Sequence, residues 1–129
     1  TRSPQWKGGG VVFAPTPRDY TINLNKKEKR IALKSALTSR VLENKFIVVD
    51  DFARSEIKTK KMQQTLNNLN VKKALVVCAE NEKNTVLSVR NIYGVKAASP
   101  KTINVYDILK YNTVVASKDA VKTIEEVYA

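Results

Sequence analysis

The chain alternates between stretches in which apolar residues recur every three or four positions and short runs in which they are continuous. Residues 26–42 are strong helix formers with apolar residues along one face, and residues 46–50 (FIVVD) form a short run rich in β-branched residues. This pattern predicts a helix followed by a strand that is buried in a parallel sheet. The helix residues expected to face the core are Leu33, Ala36, Leu37 and Val41.

The middle of the chain repeats this alternation of helix and strand. The predicted elements are a helix over residues 60–69 capped by Thr59, a strand over 74–78 (ALVVC), a polar turn over 80–84 and a short helix over 85–92 ended by Gly94. The side chains of the first of these helices that are expected to point inward are Met62, Leu66 and Leu69.

The last part of the chain predicts two more strands and two more helices. They are a strand over residues 103–106, a brief helix over 107–111, a strand over 114–116 and a final helix capped by Ser117, with Val121, Ile124 and Tyr128 inward. Strands that alternate with helices, joined by short connections, are typical of parallel βαβ units. We therefore expect the α/β class: a three-layer α/β/α sandwich with a four-stranded parallel sheet.

An extended basic arm precedes this domain. Three of the four glycines and three of the four prolines lie within the first 17 residues, where proline disfavours a helix and glycine permits close backbone approach. We expect residues 1–25 to form the arm and residues 26–129 to form a single globular domain.

The charge of the chain narrows its possible functions. The 129 residues carry 23 Lys and Arg against 12 Asp and Glu, a net charge of +11, and the first 44 residues hold nine basic and three acidic residues. Such a field attracts polyanions, of which nucleic acid is the first candidate and an anionic membrane the second.

Several classes of chemistry are excluded or disfavoured. The chain has no histidine, which excludes histidine-based catalysis and metal ligation, and its single cysteine cannot form an internal disulfide. No apolar run approaches the roughly 18 residues that a membrane-spanning helix requires. We expect a cytoplasmic protein that has no enzymatic activity, no cofactor, no metal and no membrane partner.

The acidic pair Asp50-Asp51 is the strongest candidate for an enzymatic site. Ligands of open α/β sheets lie beyond the carboxyl ends of the strands, so two carboxylates there could hold a metal ion, as in receiver domains that accept a phosphoryl group. The second predicted strand ends in Cys78-Ala79-Glu80, and the third ends in Asn104-Val105-Tyr106 without an aspartate. Aspartates also commonly cap turns at strand ends. A structural role is therefore favoured, with a receiver-like phosphoacceptor as the alternative.

Two further features carry weak signals. Gly8, Gly9 and Gly10 lack the spacing of the Rossmann and Walker motifs, so a nucleotide site is disfavoured. Cys78 has no histidine to generate a thiolate, and we expect it to be a small inert side chain at the end of a strand.

The arm interleaves cations with an aromatic residue. Trp6 on a non-helical arm can stack on an unpaired base, while Arg2 and Lys7 pair with phosphates. The alternative is that Trp6 folds back against the domain. The following helix carries a basic stripe that would extend the phosphate contact: Lys27, Arg30 and Lys34. Other lysines are expected to be merely solvated: Lys72, Lys73, Lys101 and Lys122.

Residues 2–20 (RSPQWKGGGVVFAPTPRDY) closely resemble the returning strand of the long loop in the family of the bacterial large-subunit ribosomal protein numbered four. The resemblance continues in order through KKEKRIALKSAL, FIVVDDF, KTKKM, LSVRNI and INVYDIL, and it covers the whole chain.

The resemblance implies an α/β domain on the outside of the large subunit and a basic loop that penetrates ribosomal RNA and helps to line the peptide exit tunnel. It also implies early binding in subunit assembly and contacts with neighbouring large-subunit ribosomal proteins. Some members of the family repress their own operon, which here would involve the messenger RNA leader. Changes at the loop tip are associated with macrolide resistance. We expect a monomer when the protein is free.

Particular positions match the RNA-contacting segments of the family. They are Arg2, Trp6, Lys7, Gly8, Gly9 and Gly10 in the return of the loop; Pro15, Thr16, Pro17 and Arg18 at its re-entry; Lys26, Lys27, Arg30 and Lys34 in the basic helix; and Arg90 and Asn91 before a glycine turn.

The sequence also departs from the family pattern. Ala14 stands where glycine is usual and Tyr93 where proline is common. The amino-terminal segment and the outgoing half of the loop are absent, and the chain begins at Thr1 rather than at methionine, so it resembles a carboxy-terminal fragment. Arms of this composition usually order on binding, so about the first 20 residues are expected to be poorly ordered when free.

Overall fold

The computed structural model describes residues 2–52, 56–79 and 81–128. Within these residues, five α-helices and one 3₁₀ helix alternate with four strands. They are α1 (Lys26–Leu42), β1 (Phe46–Val49), α2 (Thr59–Asn68), β2 (Ala74–Val77), α3 (Lys83–Val89), β3 (Val95–Ala98), a 3₁₀ turn (Pro100–Thr102), α4 (Val105–Lys110), β4 (Thr113–Ser117) and α5 (Lys118–Tyr128).

The four strands form one parallel sheet in the order β1-β4-β2-β3. The last strand of the chain is inserted between the first two, so that Val114 of β4 lies beside Phe46 on one side and Leu75 on the other. Every residue of β2 is buried, as expected for a strand with helices on both faces.

Two apolar cores lie on opposite faces of the sheet. Val76 belongs to the core that packs against α2 and α3, whereas Leu75 and Val77 belong to the core that packs against α1, α4 and α5. The side chains of successive strand residues point to opposite faces, so a single strand supplies both cores. The predicted three-layer sandwich with a four-stranded parallel sheet is confirmed.

The predicted third strand over residues 103–106 is wrong. The third strand is β3, and Asn104 instead precedes α4, where its side-chain oxygen accepts a hydrogen bond from the backbone N–H of Asp107 at 2.7 Å. Ile103 is buried in the α1-side core rather than in the sheet. The apolar signal of this segment therefore comes from a helix start packed on the core. The brief helix predicted over 107–111 accordingly begins earlier, at Val105.

The inward face of α1 also differs from prediction at one position. Leu33 and Ala36 are buried and Leu37 packs against the core, but Val41 is 56% exposed. Arg40 is buried in its place, at 8% exposure, because its guanidinium group reaches backbone carbonyls of α4.

Of the two predicted helix caps, Thr59 is wrong and Ser117 is confirmed. Thr59 is the first residue of α2 and Lys58 takes the cap position, so the predicted cap is wrong. Ser117 is the last residue of β4, and its hydroxyl oxygen accepts a hydrogen bond from the backbone N–H of Ala120 at 3.3 Å, which confirms that cap. The short helix predicted over residues 85–92 begins at Lys83 and ends at Val89, so Gly94 lies beyond it in the turn before β3. Of the turn predicted over 80–84, Glu80 lies outside the described residues.

The sheet and α1 fix where the arm leaves the domain. Lys45 connects the end of α1 to the amino end of the sheet, since its N–H donates to the Arg40 carbonyl at 2.9 Å and its carbonyl accepts from Val114 at 2.9 Å. The first turns of α1 lie at the opposite end, where Arg30 and Asn104 line a common cleft of about 280 Å³. The arm therefore emerges near the carboxyl end of the sheet.

Candidate nucleic-acid interface

The start of the arm is a closed loop. The N–H of Gly10 donates to the carbonyl oxygen of Arg2 at 2.9 Å, which brings the two ends of the loop together. Inside it, the N–H of Trp6 donates to Ser3 at 3.1 Å, and the N–H of Gly9 donates to Trp6 at 2.9 Å. Three backbone hydrogen bonds thus give residues 2–10 a defined shape without a helix or strand.

Two of the three glycines are required by this loop. Gly8 has φ of +77°, in the left-handed region that favours glycine. A Cβ atom on Gly9 would lie 1.9 Å from the carbonyl oxygen of Ser3, so no other residue fits there without moving the backbone. Glycine is less strictly required at Gly10, where a Cβ would meet Arg2 at 3.5 Å. The triple glycine therefore closes a loop.

The loop displays the aromatic residue between two cations. Trp6 is 62% exposed, so it does not fold back into the domain as the alternative required. Arg2 and Lys7 are also exposed, on either side of Trp6 in the chain. A ring face and two charges are thus accessible to a nucleic acid.

The rest of the arm exposes apolar side chains that the sequence interpretation did not assign. Phe13 is 93% exposed, and Tyr20 is 74% exposed. The Arg18 guanidinium lies 4.3 Å from the centroid of the Tyr20 ring, which positions this cation by a cation–π contact. Next to it, hydrogen bonds from Thr21 hold the pKa of Asp19 below its usual value. The sequence has no charged residue between Lys7 and Arg18, and this was the signal that could have identified an exposed apolar segment around Phe13.

The basic helix adds a second group of exposed cations. The N–H of Asn25 donates to the carboxylate of Glu28 at 3.1 Å, which stabilises the first turn of α1. The predicted contact residues of α1 are all exposed, and none of them forms an ion pair within the described part of the chain: Lys26, Lys27, Arg30 and Lys34. The lysine and arginine charges thus remain available to an external polyanion.

The structure separates Arg90 and Asn91 from this surface. Both are exposed and lie between α3 and β3, at the amino end of the sheet, whereas the arm leaves at the carboxyl end. The predicted contact residues therefore divide into a loop, a helix and a distant turn.

The geometry does not favour the phosphoacceptor alternative. The Asp50 carboxylate is 86% exposed and paired with the ammonium group of Lys118. Hydrogen bonding within this pair lowers the pKa of Asp50 and raises the pKa of Lys118. Asp51 is exposed as well. The described residues contain no group of three or more acidic, cysteine or histidine side chains arranged to hold a metal ion.

A buried carboxylate that the sequence did not reveal occupies the carboxyl ends of the strands. Glu82 is 6% exposed and accepts hydrogen bonds from the N–H of Phe52 at 3.1 Å, the N–H of Ala79 at 2.6 Å and the hydroxyl of Ser117 at 3.2 Å. It joins the segments that follow β1 and β2 to the end of β4. In many α/β proteins this region binds ligands; here a side chain of the protein stabilises it.

Cys78 has the properties of a structural residue. It is 2% exposed, and burial together with the negative charge of Glu82 raises the pKa of the thiol to about 12. The thiolate is therefore almost absent at neutral pH.

None of the described helices is both long and apolar enough to cross a membrane.

Known proteins resemble this chain along its whole length. The sequence profile described as "Ribosomal protein L4/L1 family" matches residues 1–127. The chain is 64% identical over 129 residues to large ribosomal subunit protein uL4 of Agathobacter rectalis and 61% identical over 129 residues to that of Lachnoclostridium phytofermentans, which covers all of this chain and 63% of each relative. It is 55% identical over 128 residues to that of Thermoanaerobacter pseudethanolicus, which covers 99% of this chain and 62% of the relative.

The chain thus spans somewhat less than two thirds of the length of these relatives. On the match to residues 1–127 and the identity along the whole chain, this protein belongs to the ribosomal protein L4/L1 family.

Proposed function

We propose that the chain is a structural constituent of the large ribosomal subunit that binds large-subunit ribosomal RNA through its arm and first helix. The observation that carries this proposal is the closed loop of residues 2–10, in which three backbone hydrogen bonds shape a segment that exposes Arg2, Trp6 and Lys7. Family membership supports ribosomal RNA over other polyanions.

Each part of the interface has a physical role. The Trp6 ring can stack on an unpaired base, because every base has a π face that tolerates sequence variation. The cations of the arm and of α1 neutralise phosphates and release condensed counterions. The Arg18 guanidinium group lies over the Tyr20 ring, which limits the side-chain entropy that it loses on pairing with a phosphate. Three backbone hydrogen bonds within residues 2–10 limit the conformational entropy that the loop loses on binding RNA.

The wider roles belong to the whole protein and rest on the resemblance to the family. They are early action in subunit assembly, contribution of a loop to the peptide exit tunnel, contact with neighbouring ribosomal proteins and a cytoplasmic, ribosome-bound location. Repression of its own operon would use the same cationic surface on a messenger RNA leader. This role is non-enzymatic.

The test is the affinity for large-subunit ribosomal RNA as a function of salt. The variant, which we name the arm variant, changes Arg2, Lys7 and Arg18 of the arm and Arg30 of α1 together to alanine. The wild type should show a log–log slope of about −0.7 to −0.9 per neutralised phosphate, and the variant should lose about three to four units of slope along with most of its affinity.

A matched control removes four positive charges from other faces: Lys60, Lys61, Lys83 and Lys122, all exposed. It should bind with nearly wild-type affinity and slope. If the arm variant and the control behave alike, only the net charge matters and the proposed interface is wrong.

A further inference from the structure

The amino end of the sheet brings together turns that are far apart in the sequence. The N–H of Ala74 donates to the carbonyl oxygen of Gly94 at 3.2 Å, and the N–H of Thr113 donates to that of Lys73 at 3.3 Å. The turns before β2, β3 and β4 are therefore neighbours. Their exposed polar and aromatic residues form what we name the amino-edge surface: Asn70, Lys72, Lys73, Arg90, Asn91, Tyr93 and Asn112.

This surface is positively charged and is not neutralised by the described parts of the protein. Lys72, Lys73 and Arg90 form no ion pair with another described residue. The segments 69–73, 90–95 and 111–113 contain no acidic residue. Three cations in neighbouring turns thus face solvent.

The same surface offers an aromatic ring and amide groups. Tyr93 is 96% exposed, in the turn completed by Gly94 with φ of +78°. Asn70 adopts φ of 55°, and with Asn112 and the two lysines it lines a shallow groove of about 360 Å³. Amides both donate and accept hydrogen bonds, which suits base edges and ribose hydroxyls.

We propose that the amino-edge surface is a second RNA contact, in which Lys72, Lys73 and Arg90 pair with phosphates and Tyr93 stacks on an unpaired base. An acidic protein surface is the competing partner. RNA is favoured because Tyr93 is the only exposed large apolar side chain among these described turn residues, so the surface lacks the apolar centre that protein interfaces use. This proposal assigns a role to Lys72 and Lys73, which the sequence alone predicts to be merely solvated.

The second contact lies well away from the first. The arm joins the start of α1, and the end of α1 lies at the amino end of the sheet. Lys26 lies sixteen residues and Lys34 eight residues before the end of α1, so the two surfaces are about 12 to 24 Å apart along this helix. This separation exceeds the spacing of successive phosphates. The domain therefore bridges two RNA segments, or two parts of one folded segment.

The inference takes RNA as the partner from the proposed function, and the experiment separates the two. Full-length chains are bound to large-subunit ribosomal RNA of Agathobacter rectalis, and affinity is measured by filter binding at several salt concentrations. The amino-edge variant changes Lys72, Lys73 and Arg90 to alanine; its control changes Lys60, Lys83 and Lys122, with the same loss of three charges. Hydroxyl-radical footprinting then locates the protected nucleotides.

The amino-edge variant should lose about two to three units of salt slope and about tenfold or more in affinity. It should also lose one patch of protection and keep the patch that the arm variant loses. Tyr93→Ala should weaken binding about fivefold or more, and Tyr93→Phe should not.

Wild-type affinity, slope and footprint in the amino-edge variant, with a defect only in the arm variant, would overturn the inference and leave the proposed function standing. Loss in the amino-edge variant alone would contradict the arm as the interface while supporting the second contact. Equal loss in the amino-edge variant and its control would reduce the effect to net charge and also overturn the inference.

Discussion

The guanidinium group of Arg40 donates a hydrogen bond from Nε to the backbone carbonyl oxygen of Ile108 at 3.0 Å. A second bond runs from Nη2 to the carbonyl of Leu109 at 3.0 Å, and Nη1 is paired with the Glu43 carboxylate at 2.8 Å. The last carbonyls of a helix have no partner within it, so a side chain of α1 caps α4. A cation is thereby buried on a helix face that the apolar pattern assigns to the core.

Replacement of Arg40 by methionine should lower the free energy of unfolding by about 2 to 3 kcal/mol, because charged hydrogen bonds to the Ile108 carbonyl, which is buried, and to the Leu109 carbonyl, which is partly buried, are lost. Arg40→Lys should recover little, since a single ammonium group does not reproduce the planar fork of the guanidinium. Urea unfolding followed by circular dichroism measures both. Lys34→Met, at an exposed position of the same helix, should change stability by less than about 0.5 kcal/mol.

Replacement of Glu82 by glutamine should destabilise the domain by about 2 kcal/mol or more. The carboxylate accepts from Phe52, Ala79 and Ser117, whereas the amide has one oxygen and would turn its NH₂ group toward a donor. The same unfolding experiment on Glu125→Gln, an exposed position, serves as the control. Equal stability of the two variants would show that the Glu82 contacts contribute nothing.

Replacement of Gly9 by alanine should weaken RNA binding about fivefold or more while leaving the unfolding free energy unchanged. The new Cβ would lie 1.9 Å from the Ser3 carbonyl and would open the loop that displays Trp6, yet the arm contributes no residue to either core. Gly10→Ala is the matched control, because its Cβ would be in ordinary contact at 3.5 Å. RNA affinity is measured by filter binding. Equal affinities of the two variants would show that the geometry of the loop does not contribute to binding.

The Cys78 thiol should resist alkylation in the folded protein. With its pKa raised from 9.0 to about 12, the thiolate fraction at pH 8 is about a thousandfold lower than in the unfolded chain, and burial adds steric protection. The rate of reaction with iodoacetamide, measured by mass spectrometry with and without urea, tests this expectation. Similar rates in both conditions would contradict the burial of this thiol.

The same shift predicts a dependence of stability on pH. The folded state holds the thiol proton more tightly than the unfolded state does. The stabilisation that this difference gives the folded protein is therefore complete below pH 9 and is lost as the pH rises toward 12. Above pH 9 the wild type should lose up to about 1.4 kcal/mol per pH unit more than Cys78→Ala. Parallel pH profiles of unfolding for the two proteins would contradict this.

Much of the fold follows from local patterns. The continuous apolar runs at β1 and β2 predict buried parallel strands, and the bounds of both strands were predicted to within one residue. Every residue of β2 is buried, but β1 lies at the edge of the sheet and is only partly buried, with Val48 50% exposed, so its predicted burial is wrong. The third strand, β3, was missed because its sequence VKAA includes a lysine. This strand lies at the edge of the sheet, so the Lys96 side chain stays 47% exposed while it bonds to the buried Asp107 at 2.6 Å. Whether a strand lies at an edge, where a charged side chain can remain exposed, depends on the strand order.

The sequence by itself determined the α/β class, the cationic arm with its Trp6 and the absence of histidine chemistry, because these depend on composition and on periodicities within one element. The tertiary structure alone decided the strand order and the burial of Arg40 and Glu82. It also decided that Lys72, Lys73, Arg90 and Tyr93 share one edge. The physical reason is the same in each case: a buried charge or a joint surface depends on partners that are about 20 to 70 residues away along the chain, and no local pattern records them.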